Sequence, residues 1–431
     1  MLMDLRVLAT AFFGQYILLF KNHARFLGFG FLVAFASSAG QTYFIGVFGP
    51  QIQLVFNLSH TEWGSYYLFG TLASAVILLW TGRYLDSVDL RKYVTIVLAS
   101  LAISCLIFSQ TYSSFMLVLG VFLLRQTGQG LASHTAITSI SRYLDDNRGK
   151  GIAIASMGFS MGEALLPFLA VLSIAMFGWR ETYLLVALCL VFILPLALWS
   201  LKGFAARYEK RAVGSDAGVG QESPDQIRVH QTGIHSATGV KSLTQRQMFA
   251  ERRFYLLLPA IIIPSVIMTG LFFHHLTLAE MKHWSAAWVT GNYWIYAISS
   301  ITTLFLAGPL IDRFTATRIV PIYLVPLILA LSLLIPAQNP LWVIPYMGLI
   351  GMTSGLHFAG LSALWAELYG TVYLGGIKSV IGSISVFASA LGPVFIGIMV
   401  DLRFSFSYIC SVFIGLCVLA TLMLILGLRQ R

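Results

Sequence analysis

Gly82-Arg83-Tyr84-Leu85-Asp86, followed shortly by Arg91-Lys92, returns later in the chain as Gly308-Pro309-Leu310-Ile311-Asp312-Arg313, followed by Arg318. A shift of 226 positions lays Gly82 on Gly308, Asp86 on Asp312, Lys92 on Arg318 and, outside these segments, Pro167 on Pro393. One such match is chance. Four at a single offset, in equivalent places, indicate a duplicated unit. Each copy is a short charged turn between two long apolar stretches, so the solvent around those stretches decides the fold.

That solvent is lipid. Only 10% of the 431 residues are charged and 58% are hydrophobic, whereas soluble domains carry about a quarter charged residues. The mean hydropathy is +0.82. Apolar stretches near 25–48, 63–82, 92–110, 113–142, 149–176, 180–200, 254–279, 286–311, 318–337, 341–368, 376–400 and 404–428 read as spans 1 to 12. Each reaches or exceeds the roughly 20 residues that cross a hydrocarbon core. No alternating ten-residue pattern appears, which excludes an outer-membrane barrel.

The basic residues orient the chain. With both termini cytoplasmic, all but four of the 27 lysines and arginines fall inside. The exceptions are Arg180, Lys282 and Arg403 in outer loops, and Arg125 within span 4. The net charge of +10 is therefore a topology signal with attraction to anionic lipid, and gives no case for nucleic acid. The compact loops suggest a bacterial inner membrane. Residues 1–24 read as a cytoplasmic interfacial helix, because Val7 to Phe20 is apolar but short. From 201 to 253 the composition turns polar, giving a linker between a six-helix bundle at 25–200 and another at 254–431. The expected architecture is all-α: twelve transmembrane helices in two pseudo-symmetric bundles. Cys105, Cys189, Cys410 and Cys417 lie inside apolar spans and read as small core residues, without disulfides or metal.

The paired turns resemble the signature between helices 2 and 3, and 8 and 9, of the major facilitator superfamily, and the resemblance covers nearly the whole chain. It implies secondary transport by alternating access around a site between the halves. It also implies that Gly82, Asp86, Arg91, Gly308, Asp312 and Arg313 form a conformational signature. The glycines would permit close helix approach, and the aspartates would meet the positive end of a neighbouring helix. Ser87, Asp89 and Thr315 stand where the family favours arginine and glycine. Ser141-Arg142-Tyr143, Arg148-Gly149-Lys150-Gly151 and Gly178-Trp179-Arg180 are similar to segments of the monocarboxylate and oxalate/formate porters, which implies a small organic anion. Those porters place a base within helix 8 or 11; here span 8 has none, and Lys378 sits at the cytoplasmic mouth of span 11.

Charged residues inside a span are costly and mark partners or cavities. Arg125 stands roughly 18 Å from the outer end of span 4, and Glu163 roughly 21 Å from the inner end of span 5. In one reading Arg125 holds an anionic solute while Glu163 exchanges a proton; in the other they form a permanent ion pair. His134 in span 4 and His357 in span 10 either relay protons, bind solute, or sit satisfied in the core. Gln41, Thr42 and Tyr43 in span 1, and Asn292, Tyr293 and Tyr296 in span 8, either contact solute or bond between helices. The substrate-binding set is thus Arg125, Gln41, Tyr43, Asn292 and His357, and the proton-coupling set Glu163 and His134. His274-His275 reads as an interfacial pair, and the glycines at 158, 162, 348, 351 and 355 as helix-packing residues.

Gly158-Phe159-Ser160-Met161-Gly162 lacks the glycine-proline pair of drug antiporters, and no phosphate-cradling loop or nucleophile elbow is present. The expectation is a non-enzymatic, monomeric carrier without cofactors whose partners are a small solute, a coupling proton and the bilayer. The alternatives are an exporter of amphipathic compounds, or a receptor or enzyme on the same scaffold.

Overall fold

The computed structural model describes residues 2–144, 148–203 and 242–430, and among these every regular element is helical. Most of the polar linker, 204–241, lies outside the described residues, as do the side chains of 2–17, Asp86, Arg148 and Asp312.

Among the described residues eleven helices are long and apolar enough to cross a membrane, and one bent pair, taken as a single span, makes twelve. Spans 2 to 6 are His60–Thr81, Leu90–Ser109, Ser114–Tyr143, Gly149–Phe177 and Trp179–Ser200. Spans 7 to 12 are Arg252–Phe273, Ala286–Ile311, Ala316–Leu334, Pro340–Tyr369, Leu374–Asp401 and Phe406–Arg429. Several of their starts are set by short polar side chains that satisfy first-turn N–H groups. Asp89 accepts from the Lys92 amide at 3.1 Å, Ser113 from Met116 at 3.3 Å and Ser405 from Tyr408 at 3.2 Å. Between spans 5 and 6 the chain turns at Gly178, whose φ of +96° suits a residue without Cβ. Leu165, Leu169, Leu172 and Met176 leave an apolar stripe exposed along span 5, as a lipid-facing helix requires.

Span 1 departs from a simple helix at both ends. At its start, two helical stretches run together over Leu2–Ala36 and join at a kink where His23 takes φ −130° and ψ 19°. The helix then breaks. Ser37–Gly40 forms a 3-10 turn, Gln41 is extended at φ −83° and ψ 152°, and Thr42–Phe56 continues at 45° to Leu18–Gly40. The cause is local. Ser37 Oγ bonds the Ala34 carbonyl at 2.7 Å, which bends helices, and Gly40 adds no side chain to resist the bend.

By packing, the chain forms two compact units, each described by itself. The first takes residues 1–44, 73–162 and 176–222; the second takes 45–72, 163–175 and 223–431. In the first, Gly158 lets span 5 lie on span 1, since a Cβ there would stand 2.9 Å from the Ala34 Cβ. In the second, spans 8 and 10 touch backbone to backbone: a Cβ on Gly351 would come 2.5 Å from the Tyr296 carbonyl, and one on Gly355 2.5 Å from that of Ser300. These three glycines do what their spacing suggests, whereas Gly348 has nothing nearer than Ile295 at 3.9 Å. Cys105, Cys410 and Cys417 are buried and Cys189 is exposed; all four are free thiols.

Candidate functional site

In the first unit the break in span 1 faces an irregular turn of span 4. Span 4 is α-helical over Ser114–Leu124 and Ser133–Tyr143, but Arg125–Ala132 between them is π-helical. Such widened turns are rare and concentrate at functional sites. The two irregular backbones meet at glycines. A Cβ on Gly40 would collide with the Leu124 carbonyl, and one on Gly128 would lie 2.7 Å from the Gly40 Cα. Larger residues at either position would part the helices.

Arg125 opens the widened turn and is only 3% exposed. Its Nη1 donates to the Gly40 carbonyl at 3.2 Å and to Thr42 Oγ1 at 3.4 Å. The carbonyl is one that the break withdraws from regular helical pairing. Both of these acceptors are neutral oxygens. Beside it, Gln41 Nε2 donates to Ser133 Oγ at 3.1 Å. Tyr43 donates to Ser38 Oγ at 2.8 Å, and the Ser38 hydroxyl fills the space a Cβ on Gly162 would need.

The rest of the widened turn ties in the neighbouring spans. Gln126 accepts from Ser74 at 3.1 Å and donates to Thr81 at 2.8 Å, both on span 2. Thr127 donates to Ser104 on span 3 at 3.2 Å. Gln129 Oε1 is buried with no hydrogen-bond partner. Gln126, Gln129 and Ser133 were absent from the residues singled out by sequence, although the polar run Arg125-Gln126-Thr127-Gly128-Gln129-Gly130 inside an apolar span was a visible signal.

In the second unit Glu163 is half-buried and, among the described residues, has no hydrogen-bond or ion-pair partner. It lies within electrostatic reach of Tyr293 and Tyr296. Tyr293 is fully buried with its hydroxyl 2.7 Å from His275 Nδ1, and Tyr296 pairs with Ser354 at 3.0 Å. Phe272 meets both tyrosines and His275 edge-on. Asn292 turns back on its own chain, donating to the Trp288 carbonyl at 2.7 Å. His357 is half-buried between Tyr323 and Phe358, with ring centroids 5.9 Å away on each side.

His274 and His275, expected near the outer end of span 7, are both buried in the protein. They are 1% and 6% exposed, and His274 Nε2 reaches the Pro393 carbonyl at 2.8 Å. Adjacent in sequence, they serve different helices because span 7 ends at Phe273 and a new helix starts at His275. His134, in span 4, is exposed beside the first signature turn, its Cε1 4.0 Å from where a Gly82 Cβ would lie. The signature glycines themselves do not mark helix crossings. Gly82 meets chiefly its own Leu78 carbonyl, and Gly308 has open space around it within the continuous helix Tyr293–Phe314. Arg91 and Arg313 are exposed, and the side chains of Asp86 and Asp312 lie outside the described set. Among the described residues no three His, Cys, Asp or Glu side chains converge as a metal site.

The sequence profile of the Major Facilitator Superfamily matches residues 30–385, most of the chain. The chain belongs to that family. Major facilitators are non-enzymatic transporters, and this one is an integral membrane protein that moves a small solute. Solved structures of the same fold include the nucleoside transporter NupG, at 12% identity and a TM-score of 0.70 over 95% of this chain and 99% of that one. Another is a bacterial homolog of the human lysosomal transporter Spinster in an inward-facing, occupied conformation. It is 17% identical, with a TM-score of 0.67 over 96% of this chain and 98% of that one. No curated protein matches the chain by sequence.

Proposed function

We propose that this major facilitator is a proton-coupled carrier of a small organic anion. The observation that supports it is Arg125: a guanidinium only 3% exposed that donates to the Gly40 carbonyl and the Thr42 hydroxyl at the break of span 1. A carboxylate solute would take its place opposite that charge, with Gln41 and Tyr43 beside it. Glu163, without a hydrogen-bond partner among the described residues, would carry the proton. Its protonation changes the charge of the carrier between the two halves of the cycle, and a ligand that binds two states unequally shifts their balance. We further propose that the protein works as a monomer in a bacterial inner membrane with both termini cytoplasmic, as the charge pattern of its loops favours. The signature turns and His134 would act on the cytoplasmic side, governing which side is open.

Counterflow in proteoliposomes tests this reading. A panel of carboxylates, nucleosides and amphipathic cations is first screened by thermal shift, and hits are assayed for exchange. Exchange of carboxylates that disappears in Arg125→Gln supports the proposal; exchange indifferent to that substitution removes it. Uptake by Glu163→Gln should no longer vary between mildly acidic and mildly alkaline pH. An unaltered pH profile in that variant would rule out the proton role.

One observation favours a second reading. The shared fold with a nucleoside transporter, and the amide-rich turn of Gln126 and Gln129, suit a neutral solute rich in hydrogen-bonding groups. The same panel distinguishes it, since nucleosides would then exchange and carboxylates would not.

A further inference from the structure

Asp401, the last residue of span 11, lies against the first turn of span 2 in the second unit. Its Oδ1 accepts the His60 N–H at 3.0 Å and its Oδ2 the Thr61 N–H at 2.8 Å, across more than 300 residues of sequence. First-turn N–H groups have no partner within their own helix, and the helix dipole adds partial positive charge there. A carboxylate accepting two of them at once is a strong and directional contact.

The contact continues along one face. Pro393, Gly397 and Asp401 are spaced four apart on span 11 and so share a side of the helix. A Cβ on Gly397 would lie 2.5 Å from the His60 carbonyl, and one on Gly64 2.7 Å from the Pro393 carbonyl. Spans 2 and 11 therefore stay in close contact over about two turns. Span 7 joins them: His274 bonds Pro393, and its ring lies 5.8 Å from that of His60, which Gln53 holds at 2.9 Å. Ser59 and Glu62 also cap each other at the start of span 2, at 2.8 Å and 3.1 Å. Asp401 is exposed, so water can replace it at the two amides.

Spans 2 and 11 belong to different sequence repeats, and this junction lies at their outer ends. We propose that Asp401, with the Pro393–Gly397–Asp401 face behind it, is the outer latch of the carrier. Seated on the start of span 2 it holds the outer mouth shut; withdrawn, it frees that mouth to open. The proposal rests on the reading of the chain as an alternating-access carrier but not on the identity of the solute.

The test uses the full-length protein with its four cysteines replaced and Val47→Cys as a reporter, since Val47 is 3% exposed on the outer part of span 1. Labelling by a membrane-impermeant maleimide should speed up roughly two- to fivefold in Asp401→Asn, which keeps an acceptor but loses the charge. It should speed up further in Asp401→Ala and in Gly397→Ala, which wedges the helices apart. Unchanged labelling in folded Asp401→Asn and Gly397→Ala overturns the latch. As a second measurement, His60→Cys/Asp401→Cys cross-linked by a bis-methanethiosulfonate reagent, which forms a disulfide with each thiol and releases sulfinate, should hold labelling at its slow rate until the link is reduced. Fast labelling of the joined protein also overturns the proposal. Because labelling needs no solute, failure of the latch and failure of the organic-anion reading are separable.

Discussion

Arg125 is pinned to the break in span 1, so replacing it tests two roles at once. Arg125→Met removes the donor from a buried carbonyl, which should lower stability by about 1–3 kcal/mol, seen as a lower melting temperature of the purified protein. Arg125→Lys keeps a charge and a donor but not the planar fork. It should stay within about 1 kcal/mol of the parent yet lose most solute exchange, if the guanidinium binds solute as proposed. The glycines are less forgiving. Gly40→Ala drives a methyl into the Leu124 carbonyl, a backbone atom that has nowhere to go. Overpacking of this kind costs about 1–3 kcal/mol or more, measurable as an early thermal transition. By contrast Gly308→Ala meets open space inside a helix and should be neutral or slightly stabilising.

At the scale of elements, the two irregular segments meet at the candidate site. Neither the 3-10 turn at Ser37–Gly40 nor the π-helical turn at Arg125–Ala132 was legible as such in the sequence, though their polar residues were. Hydropathy reports how apolar a span is and says nothing of its hydrogen-bond register. A widened turn carries surplus backbone that a regular helix lacks. Deleting Gly130 should therefore return span 4 towards a regular helix and rotate Arg125 by about 100° relative to Ser133–Tyr143. The expected outcome is a folded protein, by circular dichroism and gel filtration, that no longer exchanges solute. Retained exchange would mean that the widened turn is incidental.

For the molecule as a whole, the number of crossings and the family were plain from the outset, while the units were not. Tyr112, 80% exposed between spans 3 and 4, should as Tyr112→Cys react with an impermeant thiol reagent on intact cells. Ser87→Cys, in the first signature turn, should react only after permeabilisation. The reverse pattern would invert the proposed topology. Contacts nevertheless gather the end of span 1, the start of span 2 and part of span 5 with the carboxyl-terminal helices in one compact unit. Which helix ends pair depends on the point in the transport cycle, and a duplicated sequence is compatible with every such point.

Composition, span length, loop charge and the repeat at a fixed offset determined that the chain is a twelve-span carrier, because lipid obliges each crossing to be an apolar helix and duplication leaves matching residues. The tertiary structure alone decided that Arg125 meets a broken helix, that Asn292 serves its own backbone, that His274 and His275 are buried, and that Asp401 reaches span 2. Each of these depends on which backbone atoms are left without partners at a bend or a helix end, and on which side chain from a distant segment comes within about 3 Å of them. Distances of that kind are fixed by packing and leave no trace in hydropathy.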